Sequence, residues 1–492
     1  MIKTDQQRFD TIRAHGYPYM ITPNLDRLAG ESVSFANAYC AGATCVASRA
    51  AFYTGMFAHN TGVFHFDPWT HIRTWLHDLK DHGYHIAEVG KVHHWPDDEA
   101  RGREMMAYDE RYTAENFPMM YDWDDYSNYL KAEGQQSPCE VIGELAKEGG
   151  PTGYYPFPLE EKYHVDNWVG RMSCRWLEDY RRDKPFFLHI GFVGPHDPFD
   201  PPQRFLDMYE GADIPAPVAS GTEFEDKPPQ HRRFMDGFRN DPDYDEHPSY
   251  GSNRVDFFNM TEEDFKEMRR HYFAKITMID EQIGNIMDTL EARGLLENTV
   301  VVFTSDHGDN MGDHQLMYKW LMTEQTTRIP MMVRLPGAAR GGAVDKKLFT
   351  QMDVGPTLLD FAGVTIPAYL DGRSNRARLE TGDASGAPDT VYCQDNYQTM
   401  VRTETRRMIH YAGQPYGEYY DMDADPWELN NLWADPARQD EIQKLRMAYL
   451  EWREVSTYLG SIERCGRGPE DRRKWPAYFP NDPYFLQGWN SK

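Results

Sequence analysis

The stretch Val300-Val301-Val302-Phe303-Thr304-Ser305-Asp306-His307-Gly308 begins with β-branched and aromatic residues and ends in polar ones. An apolar run of this kind is typical of a strand that is buried on both faces of a parallel sheet. Ligands bind such sheets at the carboxyl ends of the strands. The stretch therefore predicts an α/β fold and indicates that its site lies beside Asp306 and His307.

Three other apolar runs end in chemically active residues. They lead into Asp5-Gln6, into Gly90-Lys91-Val92-His93 and into Pro195-His196. Helical patterns separate the runs, and the longest of these helices begins at Thr261 with a capping box. The alternation predicts a large, mostly parallel sheet with helices on both faces. Four candidate groups at four strand ends indicate one shared site.

The last quarter of the chain has a different pattern. Short apolar runs at hairpin spacing predict a smaller antiparallel sheet, and a helix over about 437–457 should cover it. The aromatic and proline residues of the tail predict an arm that mediates self-association, or one that packs on its own subunit. The predicted units are a catalytic domain at 1–375 with insertions at about 97–164 and 196–256, a linker-like stretch at 374–389, an α+β subdomain at 390–465 and a tail at 466–492.

The start of the chain is short for its predicted role. Only four residues precede Asp5, whereas interior strands usually have five or more residues. We expect that part of the first strand lies upstream of Met1.

Composition restricts the possible partners. The chain has 492 residues and a formal net charge of −26, which argues against nucleic acid and against an anionic membrane surface. Its six cysteines include no Cys-x-x-Cys pair and indicate neither zinc nor a dense disulfide framework. No apolar run is long enough to span a bilayer, and the first residues have no signal core. We expect a cytoplasmic protein, or a periplasmic one if the true N-terminus is missing.

The stretch Cys45-Val46-Ala47-Ser48-Arg49 follows a loop of small residues and continues to Thr54-Gly55. It predicts a helix that begins near Cys45, where unpaired N–H groups favour an anion. Arg49 lies four residues later, on the same helix face. For a lone cysteine, the alternative is a buried structural thiol.

The whole string resembles the signature of the type I sulfatases, which belong to the alkaline-phosphatase superfamily. The resemblance implies that a maturation enzyme oxidises Cys45 to formylglycine. The hydrated aldehyde would then attack the ester, and its second hydroxyl would expel the sulfate. Ala47 occupies a position where proline is commoner, and the family accepts both.

The resemblance also implies one divalent metal. Asp5-Gln6 and Asp306-His307 resemble the metal-binding segments of the family, and the modified Cys45 would complete the ligand shell. An oxygen-rich shell favours Ca²⁺, with Mn²⁺ or Mg²⁺ as alternatives. The Asp-Gln form is closer to the choline-sulfatase and phosphonate-monoesterase branch.

The remaining roles follow from the same resemblance. Lys91 would hold the hydrate and the sulfate, and His93 would take a proton when sulfate leaves. His196 and Lys319 would contact the leaving-group oxygen, and Asp306 could also act as a base. Surface positions without a function are the alternative for Lys91 and His93.

These observations predict a metal-dependent hydrolase of a small sulfate monoester. A phosphonate or phosphate ester hydrolase that uses the same nucleophile is the alternative within the superfamily. An inactive binder of sulfated ligands is the alternative from another class. A homo-oligomer is expected.

Overall fold

The structure is a computed structural model of the 492-residue chain. It describes residues 1–67, 69, 72–93, 107–115, 124–147, 153–233, 257 and 260–464. Within these residues, no helix has the length and apolar character needed to cross a membrane. The predicted C-terminal arm at 466–492 lies outside the described residues.

A mixed, mostly parallel sheet of eight strands forms the centre of the molecule, as predicted. Its strand order is β4-β3-β5-β1-β6-β7-β2-β8. The strands are β1 (Ile2–Asp5), β2 (Val33–Tyr39), β3 (His85–Gly90), β4 (Glu110–Thr113), β5 (Phe186–Pro195), β6 (Val301–Ser305), β7 (Met331–Arg334) and β8 (Ala343–Thr350).

The short strand β1 occupies the middle of this sheet. It pairs in parallel with β5 through Ile2 and Ile190, and with β6 through Ile2 and Phe303. β7 runs antiparallel to both of its neighbours. Asp5 and Asp306 therefore lie on adjacent strand ends, since Thr4 pairs with Ser305.

Helices cover both faces of the sheet and create two apolar cores. Successive strand residues point to opposite faces, so Phe303 belongs to one core and Val302 to the other. The described helices are α1 (Pro23–Gly30), α2 (Cys45–Thr54), α3 (Ala58–Thr61), α4 (Trp75–Asp81), α5 (Asp125–Ala132), α6 (Pro138–Lys147), α7 (Val165–Asp179), α8 (Gln203–Asp207), α9 (Glu262–Ala292), α10 (Glu324–Thr327), α11 (Val354–Phe361), α12 (Arg376–Thr381) and α13 (Gln439–Arg464).

The longest helix, α9, begins as its sequence predicts. The Thr261 side chain accepts the Asp264 N–H, and the Asp264 carboxylate accepts the Thr261 N–H. This reciprocal capping box satisfies two of the N–H groups that a helix start leaves unpaired.

A second, antiparallel sheet of four strands has the order β12-β11-β10-β9. Val401, Met408 and Tyr419 of this sheet pack against Ile442 of α13 and form a small core of their own. The predicted α+β arrangement is thus present. The strands are β9 (Thr390–Asp395), β10 (Gln398–Thr403), β11 (Arg406–Tyr411) and β12 (Gly417–Asp421).

Two stretches differ from their predicted roles. The insertion predicted at about 97–164 contains β4, which pairs with β3 at the edge of the large sheet. The linker-like stretch at 374–389 contains α12, whose buried Arg378 makes an ion pair with Asp345 of β8. The first five residues of strand β8 are exposed or half-buried, and the strand carries no continuous apolar run.

A buried ionic network joins the two sheets. Arg407 of β11 is fully buried and contacts Glu324 of α10 and Glu428, with 2.7 Å between Arg407 Nε and Glu428 Oε1. Its Nη2 also donates to Thr327 Oγ1 at 2.9 Å. Buried carboxylates need such a partner, because an unpaired charge in the interior costs several kcal/mol.

Replacing Arg407 with methionine should therefore destabilise the protein. The change keeps the side-chain volume but takes the cation from buried Glu428 and the nearest cation from buried Glu324, which keeps Arg328 and Arg402, so we expect a loss of about 3–5 kcal/mol in the free energy of unfolding. Denaturant unfolding measures this loss. Arg376→Met, in a half-exposed surface pair, is the control and should cost far less. Equal stability of the two variants would contradict the role of Arg407 as the cation that neutralises these carboxylates.

Candidate active site

Four strand ends deliver four polar side chains to one place, as predicted. Asp5 ends β1, Lys91 follows β3, His196 follows β5 and Asp306 follows β6. The strands approach closely at this edge: a Cβ added to Gly90 would lie 2.0 Å from the Gly191 carbonyl oxygen. Gly90 also has a φ of 104°, which favours glycine for a second reason.

Cys45 is the first residue of α2, and its side chain is buried. The helix start faces the strand ends. Ligand atoms of Asp5, Cys45, Asp306 and His307 all lie within 4.8 Å of one another. Burial raises the pKa of the Cys45 thiol to about 11, so the unmodified thiol is a weak nucleophile at neutral pH.

Arg49, one turn after Cys45, fixes both carboxylates of the cluster. Its Nε donates to Asp306 Oδ2 at 2.9 Å, and its Nη2 donates to Asp5 Oδ2 at 3.1 Å. Lys91 Nζ lies 2.8 Å from the same Asp5 oxygen. Burial would raise the pKa of Asp5, but Lys91, His196 and Arg49 hold it well below its usual value. Both carboxylates are therefore ionised.

Two ligand atoms of the cluster have no hydrogen-bond partner among the described residues. They are Asp5 Oδ1 and His307 Nε2, and both are buried. His307 Nδ1 donates to the Gly308 carbonyl at 2.8 Å, which leaves a lone pair on Nε2. Burial also lowers the pKa of His307, so its imidazole is neutral and can bind a metal. These atoms fit one divalent cation.

Gln6 and Lys319 lie beside the cluster. Lys319 Nζ donates to Gln6 Oε1 at 2.6 Å, and the Gln6 amide donates to Asp309. The Gln6 main-chain N–H donates to Asp306 Oδ1 at 3.0 Å. The assignment of Gln6 as a metal ligand stays a prediction, because its amide oxygen faces Lys319 in this structure.

Lys319 also hydrogen-bonds the Cys45 thiol. Burial alone would lower the pKa of Lys319, but Cys45, Asp5 and Asp197 raise it above its ordinary value. Its ammonium group therefore stays charged at neutral pH. This places a fixed positive charge next to the predicted nucleophile.

The two predicted histidines at the cluster are uncharged. Burial, reinforced by Lys91 and Arg49, lowers the pKa of His93 well below its usual value. Burial and Lys319 do the same for His196. His93 is held in place by its main-chain N–H, which donates to Glu115 Oε2 at 2.7 Å.

The sulfatase family model matches residues 1–364. The C-terminal model of N-sulphoglucosamine sulphohydrolase matches residues 312–454. The chain belongs to the sulfatase family. It is a sulfuric-ester hydrolase, and the resemblance seen in its sequence is confirmed.

Similar proteins cover nearly the whole of this sulfatase. An arylsulfatase of Clostridium perfringens is 30% identical over 92% of the chain and 94% of its own length. A choline-sulfatase of Rhizobium meliloti is 28% identical over 94% of the chain and 86% of its own length. The phosphonate monoester hydrolase of Agrobacterium radiobacter shares the fold, with a TM-score of 0.78, 23% identity and coverage of 92% and 95%.

The structure adds residues to the site that sequence patterns did not single out. Gln351, after β8, donates to Ser48 Oγ at 2.8 Å, and Ser48 in turn donates to the Asp306 carbonyl at 2.6 Å. Asp395 of the second sheet reaches the loop before Cys45 through His65. The available signal for Gln351 was its position directly after a strand. The sequence did not predict that strand, because β8 has no apolar run.

Asp306→Asn and His307→Ala should each lower metal binding by the sulfatase, because each removes a ligand from the buried cluster. Elemental analysis after dialysis, together with the melting-temperature shift caused by Ca²⁺, measures the effect. Asp383→Asn, at an exposed site, is the control and should bind metal like the parent protein. Fully active protein that contains no divalent ion would contradict the metal site.

Proposed function

We propose that this sulfatase hydrolyses a sulfate monoester through a formylglycine derived from Cys45, with one divalent metal. The observation that carries the proposal is the buried cluster of Asp5, Cys45, Asp306 and His307 at the start of α2. Ca²⁺ is the proposed ion, because the cluster offers mainly oxygen ligands. The bound metal would supply Lewis-acid stabilisation of the sulfuryl oxygens.

The other proposed roles in the reaction belong to side chains around the cluster. Lys91 and Lys319 are cations directed at the place where negative charge develops. His93 is a neutral imidazole and can accept a proton when sulfate leaves. His196 and Lys319 are the groups proposed to contact the leaving oxygen. Arg49 acts on Asp5 and Asp306 and therefore positions the ligands.

Cys45→Ser and Cys45→Ala should abolish turnover without changing the fold. The proposed chemistry needs an aldehyde at this position. Neither variant has the cysteine that the maturation enzyme oxidises to form it. Peptide mass spectrometry of active protein should show that Cys45 has lost its thiol. An aryl sulfate and an aryl phosphonate ester, each with and without chelator, separate the two ester classes. Fully active protein with an intact thiol would refute the mechanism.

His196→Ala and Lys319→Ala should reduce activity most for poor leaving groups. Both residues are proposed to contact the departing oxygen, and Lys319, which stays charged, can supply a proton, a help worth about 10²–10⁴-fold where one is needed. Values of kcat/KM across a series of substituted phenyl sulfates measure the dependence. Asp306→Ala is the comparison, because it should reduce turnover of every substrate. Equal losses across the series would remove the leaving-group role.

A further inference from the structure

Thr44, His65 and Asp395 form a cluster beside Cys45 that the proposed reaction does not use. His65 Nδ1 lies 3.1 Å from Thr44 Oγ1 and 3.3 Å from Asp395 Oδ1. Thr44 directly precedes Cys45. Burial raises the pKa of Asp395, and its hydrogen bonds with His65 and Thr44 lower it only in part. The cluster therefore borders the reacting centre.

Main-chain hydrogen bonds hold this cluster in place. The His65 N–H donates to the Asp67 carboxylate at 3.2 Å. The Asn396 N–H donates to the Phe64 carbonyl at 3.0 Å, and the Gln394 N–H donates to the Ala41 carbonyl at 2.9 Å. These contacts fasten the β9–β10 hairpin onto the loops on both sides of the cluster. His65 is thus set by two separate parts of the chain.

On one side, the cluster presents polar atoms that are available to a ligand. Asp395 is fully buried, and its Oδ2 has no hydrogen-bond partner among the described residues. A carboxylate partner takes the hydrogen of Nδ1, so Nε2 of His65 is left as an acceptor. The His65 side chain is 33% exposed, and its Nδ1 is the ring nitrogen that contacts Thr44 and Asp395.

The neighbouring ring contacts connect His65 to the predicted site. The Phe66 ring lies 4.6 Å from that of His65 and 6.1 Å from that of His93. His93 belongs to the site, so His65 is separated from it by a single aromatic ring.

We propose that His65 is a specificity-determining residue whose Nε2 accepts a hydrogen bond from a hydroxyl beside the sulfate ester. Asp395 is the positioning residue that fixes the imidazole tautomer, as a carboxylate does for histidine in a catalytic triad. The substrate class is a monosulfate of a diol, sugar or catechol with a neighbouring free hydroxyl. The inference rests on the proposed sulfate-ester hydrolysis.

A matched pair of esters tests the role of His65. One is 2-hydroxy-5-nitrophenyl sulfate, and the other is its 2-methoxy analogue, which lacks the hydrogen-bond donor. We expect His65→Phe to raise KM for the hydroxy ester about tenfold, the order of one hydrogen bond, with kcat nearly unchanged. KM for the methoxy ester should change by less than about twofold. His82→Phe, at an exposed helix end, is the control and should change neither.

Variants of Asp395 separate positioning from a merely structural role. Asp395→Leu should also remove the preference for the hydroxy ester, and Asp395→Asn, whose amide can donate to Nδ1 and select the other imidazole tautomer, should weaken it without changing the fold. Circular dichroism and the formylglycine content of each variant verify that the compared proteins are folded and matured.

The outcomes separate this inference from the proposed function. Wild-type protein that hydrolyses neither ester would contradict the proposed function. Wild-type protein without a preference for the hydroxy ester, or equal losses on both esters in His65→Phe, would overturn the inference alone.

Discussion

The structure depends on the way Arg49 joins two buried carboxylates. Asp5 and Asp306 lie on adjacent strand ends with no exposed surface, and two such charges repel each other strongly in the interior. Arg49 binds one oxygen of each. The charge on Asp5 Oδ2 and Asp306 Oδ2 is thereby neutralised, and Asp5 Oδ1 is left for a cation. The Arg49 guanidinium thus offsets the repulsion between the two carboxylates and also fixes the geometry of the proposed metal site.

This constraint explains the spacing of the Cys-x-Ala-Ser-Arg string. One helical turn separates Cys45 from Arg49, so the residue that holds the carboxylates also sets where the nucleophile stands. Ser48, between them, bonds the Asp306 carbonyl and fixes the helix to β6. The loop before the helix must be small, since a Cβ on Gly42 would lie 2.9 Å from Ala47 Cβ. The string is therefore both a packing motif and a chemical one.

The parts that the sequence could predict are those with local signals. The strands that end at Asp5, Lys91, His196 and Asp306 are buried on both faces and appear as apolar runs or, for β1, as a short apolar start. Edge strands lack this signal: β4 alternates half-buried and buried residues and includes two charged ones, and the first five residues of β8 are exposed or half-buried. The contacts of a polar residue such as Asp395 have no local signal in the sequence. They form only when the second sheet docks, because its partners are more than 300 positions away.

Docking of the second sheet consequently brings Asp395 to the loop that precedes Cys45. The same sheet buries Arg407 between Glu324 and Glu428 and carries the hairpin that ends at Asp395. Burying an ion pair rarely adds stability over an apolar contact, but it penalises any other arrangement of the partners. A displaced second sheet would take Arg407 away from Glu324 of α10 and would also withdraw Asp395 from His65. The ionic network thus selects the one arrangement in which the hairpin lies beside Cys45.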